Sequence, residues 1–254
     1  MRMGNPINSP QYWENRFASG DWSQKHGEGQ TRFFGKLALQ LLPPWVLEDI
    51  RQNQRPLCDV GCAEGAACEV WAEACPEISV SGVDFSAAAV ERAKTLHPRL
   101  SFFQGDLDAA PPETEVVFCS NVLEHLTGTE EHLKRWAQRP NVKHLIVLVP
   151  LHETNRHFEH VVTLDYNNFP LKVGPLLLAA FHEVDLRGTP DEVQWFGKQA
   201  LVVYSHESIA QTVASGLHDI LGPAMRARGD LENAKKALAQ AQAEQRLRLS
   251  ELAS

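Results

Sequence analysis

The feature that most constrains the fold is a change of rhythm at residue 57. From there, short apolar runs ("LCDV", "ISVSGVD", "LSFFQGD", "EVVFC", "KHLIVLVP") alternate with helix-forming stretches of about 10 to 15 residues. Runs that are apolar throughout need cover on both faces, and helices between parallel strands supply it. The pattern predicts an α/β chain with a doubly wound, mostly parallel sheet. "GAACEVWAEAC" opens a helix at Gly65, "SAAAVERAKTLH" is capped by Ser86 and closes before Pro98, and "TEEHLKRWAQ" is a third. "FHEVDLRG" and "KQALVVYSH" then predict two strands joined by a long polar connection, an antiparallel pair at the sheet edge.

The flanks differ from this core. Residues 10 to 53 predict helices broken by a polar loop: "SPQYWENRFA" has Ser9 as N-cap and Pro10 in its first turn, "SGDWSQKHGEGQ" carries three glycines and reads as loop, and "TRFFGKLALQLL" is helical up to Pro43. At the other end, "DLENAKKALAQAQAEQRLRLSELAS" consists almost wholly of strong helix formers. Leu231, Leu238 and Leu252 share a heptad position that Gln245 interrupts, a pattern that fits a weak coiled-coil seam or a solvated helix equally. The expected division is an N-terminal helical region at 1–56, a core at 57–222 and a C-terminal helix at 223–254. Contact with a second copy or a protein partner is expected through residues 230–254.

A net charge of -8 argues against a broad phosphate-binding surface, and so against nucleic acid as a partner. The five cysteines form no C-x-x-C pair, the first residues lack the apolar core of a signal peptide, and no apolar run is long enough to span a bilayer. The expectation is a cytoplasmic protein with free thiols.

"LCDVGCAEGA" is a strand, a tight turn and a helix start. Gly61 permits the turn, but the register Gly61, Ala63, Ala66 lacks the second glycine of a pyrophosphate-binding loop, which disfavours an NAD-dependent oxidoreductase. Asp84 closes the second strand, where a carboxylate can accept from a ribose diol, and Ser86 is the better-placed helix cap. Asp59, Asp84 and Asp106 make a row of acids at three strand ends.

"DVGCAEG", "GVDFS", "GDL" and "CSNVLEHL", in that order, resemble class I S-adenosylmethionine-dependent methyltransferases. The resemblance covers residues 57–150 by motif, extends to 205 by strand pattern, and implies a Rossmann-like fold with S-adenosyl-L-methionine as cofactor. It implies that the loop of Asp59, Gly61, Cys62, Ala63 and Gly65 faces the methionine part, with Ala63 standing where the family usually has Gly. Asp84 would hold the ribose hydroxyls, Phe85 would lie against the adenine, and Asp106 would accept from its amino group beside the Leu107 backbone. Ser120 and Asn121 would lie along the cofactor. "YWENRF" resembles the lid helix of such enzymes, with Tyr12, Trp13 and Arg16 over the cofactor and Arg16 on its carboxylate, against the alternative of a solvated charge.

Likeness to O-methyltransferases of bacterial surface polysaccharides makes a sugar hydroxyl the first acceptor, with a quinone or other small metabolite next. A cofactor-binding scaffold without turnover is the non-enzymatic alternative. A hydroxyl nucleophile loses a proton, so a histidine base is expected: His160 first, His125 second, with His152 and His157 on the loop surface. Asn121-x-x-Glu124-His125 with "NRHFEHVVTLD" also resembles metal-using relatives in ubiquinone and small-RNA methylation. Asn121 replaces their first Glu, so no metal is assigned. Glu124 and His125 act as ligands only if His160 meets them in space and Asn121 can substitute for the missing carboxylate. Otherwise they begin the helix after the fourth strand.

Overall fold

The structure, a computed structural model, describes residues 6–187 and 197–213. Four helices come first: α1 (Pro10–Ala18), α2 (Asp21–Gln24), α3 (Gly27–Leu41) and α4 (Pro44–Gln52). Ser9 caps α1 by accepting from the Tyr12 amide, as its sequence position predicts. The polar stretch read as loop is instead α2 and the start of α3. Its glycines serve close approach: a Cβ on Gly27 would lie 2.3 Å from the Trp22 indole, so only glycine lets α3 lie against that ring.

The alternating part follows as β1 (Leu57–Val60), α5 (Ala66–Ala74), β2 (Val80–Asp84), α6 (Ala87–Leu96), β3 (Ser101–Gln104), β4 (Val116–Ser120), α7 (Thr129–Ala137) and β5 (His144–Leu151). β6 (Lys172–Val173), β7 (Leu176–Asp185), β8 (Lys198–His206) and α8 (Glu207–Val213) complete the described chain. The strands form one sheet in the order β3-β2-β1-β4-β5-β8-β7-β6. β3 through β5 run parallel, and β8, β7 and β6 pair antiparallel beyond them.

Successive strand residues explain the unbroken apolar runs. Val116, Phe118, Ile146 and Leu148 pack on one face with Phe34, Val46 and Trp71. Val117, Cys119, Leu145 and Val147 pack on the other with Leu133, Trp136 and Tyr204. At the N-terminal end of β5 the buried His144 bridges Asp49 of α4 (2.7 Å) and Ser205 of β8 (2.9 Å), and Arg55 pairs with Asp49 at 2.6 Å. All five cysteines are free and buried.

His125 does not begin α7. Leu123–His125 is a separate 3-10 turn, and Gly128, at φ 78°, reverses the chain before α7 starts at Thr129. The expected C-terminal helix, its seam and the 222/223 boundary lie outside the described residues. No described helix is long and apolar enough to cross a membrane.

Candidate active site

The site lies where the parallel strands end. β1 leads into Gly61, whose φ of 79° and missing Cβ are both required: a Cβ there would sit 2.6 Å from Val122 Cγ2. Ala63 is also left-handed, at φ 49°, a conformation an alanine adopts only when its surroundings hold it. Those surroundings are the Ala63 amide, which donates to Asp84 Oδ2 at 3.0 Å, and its methyl, which packs with Phe17 and Ala89.

Asp84 takes a second backbone donor, Ser86 N–H, at 2.9 Å, and burial pushes its carboxyl up to about 6. Ser86 caps α6 through its hydroxyl, as expected. Helix α1 reaches the same corner: Glu14 accepts from Ser86 Oγ at 2.7 Å and from the Ala88 amide at 3.3 Å.

A cavity of about 370 Å³ opens beside this corner, within the range usual for small-molecule sites. Tyr12, Trp13, Arg16, Gly61, Ala63, Ser120 and Asn121 line it, and so do His125 and His160. The other expected residues lie outside its lining. Asp59 is buried, which raises its carboxyl to about 7 against the opposing effect of the bond it accepts from Cys68 Sγ at 3.7 Å. Cys62 is buried behind the loop, and Gly65 backs onto the Phe102 ring. Phe85 is exposed, Asp106 accepts from the Asp108 amide, and Leu107 accepts from Trp136 Nε1 through its carbonyl. The row of acids thus has three different environments.

Arg16 is not a solvated charge. Its guanidinium stacks 5.2 Å from Trp13 and 5.4 Å from Trp22, donates to Asp21 at 3.1 Å, and pairs with Glu159. Glu159 also accepts from the Tyr12 hydroxyl, which joins α1 to the connection after β5. Sequence reasoning missed Glu159, although it stands beside His160. It also missed Trp22, Lys25, Gly27 and Gln30, because the segment taken for loop folds onto the cavity as α2 and the start of α3, and Thr31 and Phe34, which were read only as part of a helix. His152 and His157 are both exposed, as expected; His157 and Phe158 also border the cavity, whereas His152 meets Tyr166 edge to face away from it.

His160 does meet Glu124 and His125. One ligand-type atom from each lies within 4.8 Å of the other two. Both histidines turn Nε2 toward Glu124 Oε1, each at 4.0 Å, and the two rings meet edge to face with centroids 4.9 Å apart. His125 Nδ1 donates to the Glu159 carbonyl at 3.0 Å, and His160 Nδ1 lies 2.8 Å from both Glu153 oxygens. Glu124 is 1% exposed, and its Oε2 is buried with no hydrogen-bond partner among the described residues. Burial drives its carboxyl up to about 8 and His125 down to about 4. His125 is therefore a weak proton acceptor. Asn121, at φ 52°, accepts from Gln199 Nε2 at 3.0 Å through its amide oxygen.

Residues 57–139 match a family model described as "Methyltransferase domain". Trans-aconitate 2-methyltransferase of Rhodopseudomonas palustris strain BisB5 is 34% identical over 83 residues, 32% of each chain. The strain BisA53 protein is 31% identical over 121 residues, 45% of this chain and 44% of its own. The chain thus spans a third to under half of the length of these relatives. Among solved structures, magnesium protoporphyrin IX methyltransferase from Synechocystis PCC 6803 with bound SAH superposes with a TM-score of 0.57 at 16% identity, over 78% of this chain and all of that one. The plantazolicin methyltransferase BpumL with SAH gives 0.54 at 11%, over 79% and 96%. The fold is the Rossmann-like fold of class I methyltransferases.

Proposed function

We propose that this chain, with its methyltransferase domain and fold, uses S-adenosyl-L-methionine to methylate a hydroxyl of a small polar acceptor, a sugar or glycan unit in first place. Its residues suit that cofactor. Gly61, whose missing Cβ lets the loop lie against Val122, lines the cavity together with Ser120 and Asn121. Each Asp84 oxygen takes one backbone donor and keeps capacity for a ribose hydroxyl. Bound there, the cofactor supplies an electrophilic methyl group. The chain's part is to orient the acceptor oxygen, exclude water with Trp13, Trp22 and Phe34, and take the proton at His160 Nε2. Gln30 and Thr31 offer polar partners to a sugar beside those aromatic faces.

The observation that carries this reading is the convergence of Glu124, His125 and His160 on one point of the cavity wall. A carboxylate acceptor is already ionised at neutral pH and asks for no base, whereas a hydroxyl must lose its proton. The cluster therefore favours a hydroxyl over an acid of the kind named for the Rhodopseudomonas relatives. A second reading rests on Glu124 Oε2, which has no partner among the described residues: the Glu-His-His donor set suits a divalent cation, which would replace the proton held there.

The test supplies cofactor with a labelled methyl group to three acceptor pools: sugars and glycan extract, quinones and phenols, and organic acids. Incorporation is scored with and without EDTA, before and after mild alkali. An alkali-stable ether in the glycan pool is expected. Label confined to alkali-labile esters refutes hydroxyl methylation, and loss with EDTA supports the cation.

A further inference from the structure

We infer that Glu153 is a positioning residue for His160: it decides which ring nitrogen carries the proton and so turns the Nε2 lone pair toward Glu124 and the cavity. The inference rests on the reading of His160 as the group that takes the acceptor's proton.

Glu153 stands just past the end of β5, in the connection that returns to the site, and its side chain is 3% exposed. Both of its oxygens lie 2.8 Å from His160 Nδ1. A Glu153 carboxylate can only accept, so the ring nitrogen bonded to it is the one that donates. Nδ1 is therefore the protonated nitrogen. In the neutral ring Nε2 is then the acceptor, and it faces Glu124 Oε1 at 4.0 Å.

His125 reaches the same tautomer by other means, because the Glu159 carbonyl at 3.0 Å from its Nδ1 can only accept. Two histidines with Nδ1 bound outward and Nε2 turned inward make the cluster a convergence of lone pairs. Such a convergence takes up a proton or a cation. The neutral tautomers of imidazole lie close in energy, so a charge-assisted hydrogen bond at one nitrogen decides between them. Without Glu153, the other tautomer would point Nε2–H at Glu124 and close the acceptor position. Glu153 also accepts from the His157 amide at 3.3 Å, so it anchors the connection as well, and a test must separate the two roles.

Imidazole nitrogen shifts and couplings in ¹⁵N-labelled protein report the tautomer of each histidine directly. Wild-type His160 is expected as the Nδ1–H form. Glu153→Gln keeps an acceptor oxygen and is expected to keep that form. Glu153→Leu removes it and shifts His160 toward Nε2–H, while His125 stays Nδ1–H. Label incorporation into the glycan extract should fall about 10- to 100-fold in Glu153→Leu, the cost usual for removing a histidine's outer partner, and by only about threefold in Glu153→Gln. Calorimetric titration with SAH should agree within about twofold across all three proteins, which excludes a general collapse of the site.

Wild-type His160 in the Nε2–H form overturns the inference, and needs no variant to fold. So does an unchanged tautomer in Glu153→Leu. If wild type incorporates no label, hydroxyl methylation fails as a reading, while the tautomer comparison still decides the role of Glu153.

Discussion

Glu124→Gln tests the buried cluster most directly. The Glu124 carboxyl is 1% exposed, has one oxygen without a partner among the described residues, and is raised by burial from 4.5 to about 8. Between those values the folded chain keeps a proton that the unfolded chain has lost. Native protein then binds more protons than unfolded protein, so stability falls as pH rises through this window, by about 1.4 kcal/mol per pH unit. The penalty is absent below the unfolded value and complete above the folded one, where it amounts to about 4–5 kcal/mol. Glutamine has nearly the same shape and no charge to bury. Asp59 and Asp84 are also raised, but they contribute equally to both proteins and cancel in the difference. Urea unfolding from pH 5 to 8.5 should therefore show two proteins of similar stability at pH 5, with the Gln variant ahead by about 3–5 kcal/mol at pH 8.5. Saturating Mn²⁺ should narrow the gap by stabilising wild type, about 2.7 kcal/mol at a hundred times its dissociation constant, with little effect on the variant. A stability difference that does not change with pH would refute the buried-proton account. Equal stabilisation of both proteins by Mn²⁺ would place any cation elsewhere.

Asp84→Ala removes the acceptor shared by the Ala63 and Ser86 amides together with the proposed ribose partner, and should weaken SAH binding by about 1–3 kcal/mol in calorimetry. Unchanged affinity would remove Asp84 from the cofactor site. His144→Ala should cost about 2–4 kcal/mol in urea unfolding, because it strands Ser205 and weakens the anchorage of Asp49, yet leave SAH affinity unchanged at the far end of the sheet. A large loss of SAH affinity would contradict that separation. A chain ending at residue 229 should bind SAH normally and sediment as a smaller species, and unchanged sedimentation would end the assembly role proposed for residues 230–254.

The sequence made the sheet legible because its strands are buried on both faces, and their apolar runs survive without any knowledge of partners. The caps at Ser9 and Ser86 were legible for a similar reason, since a cap is a local bargain between a side chain and an amide two or three residues on. The glycines of "SGDWSQKHGEGQ" misled because Gly27 answers to the Trp22 ring, a contact that periodicity does not encode. The three acids were visible as strand ends, but the environment of Asp59 depends on Cys68 of α5 and that of Asp84 on the Ala63 amide of the glycine loop, whereas Asp106 bonds locally to the Asp108 amide. The approach of His160 to Glu124 is the clearest case. It depends on the connection after β5, whose Val161 and Val162 amides donate to the Glu124 carbonyl at 2.8 and 3.2 Å. Glu124 thus holds in place, through its backbone, the segment whose histidine its side chain faces. A substitution at 124 leaves the carbonyl, and with it the approach of His160, intact. Loss of cation or proton binding in Glu124→Gln would therefore report on the carboxylate itself and not on a displaced loop.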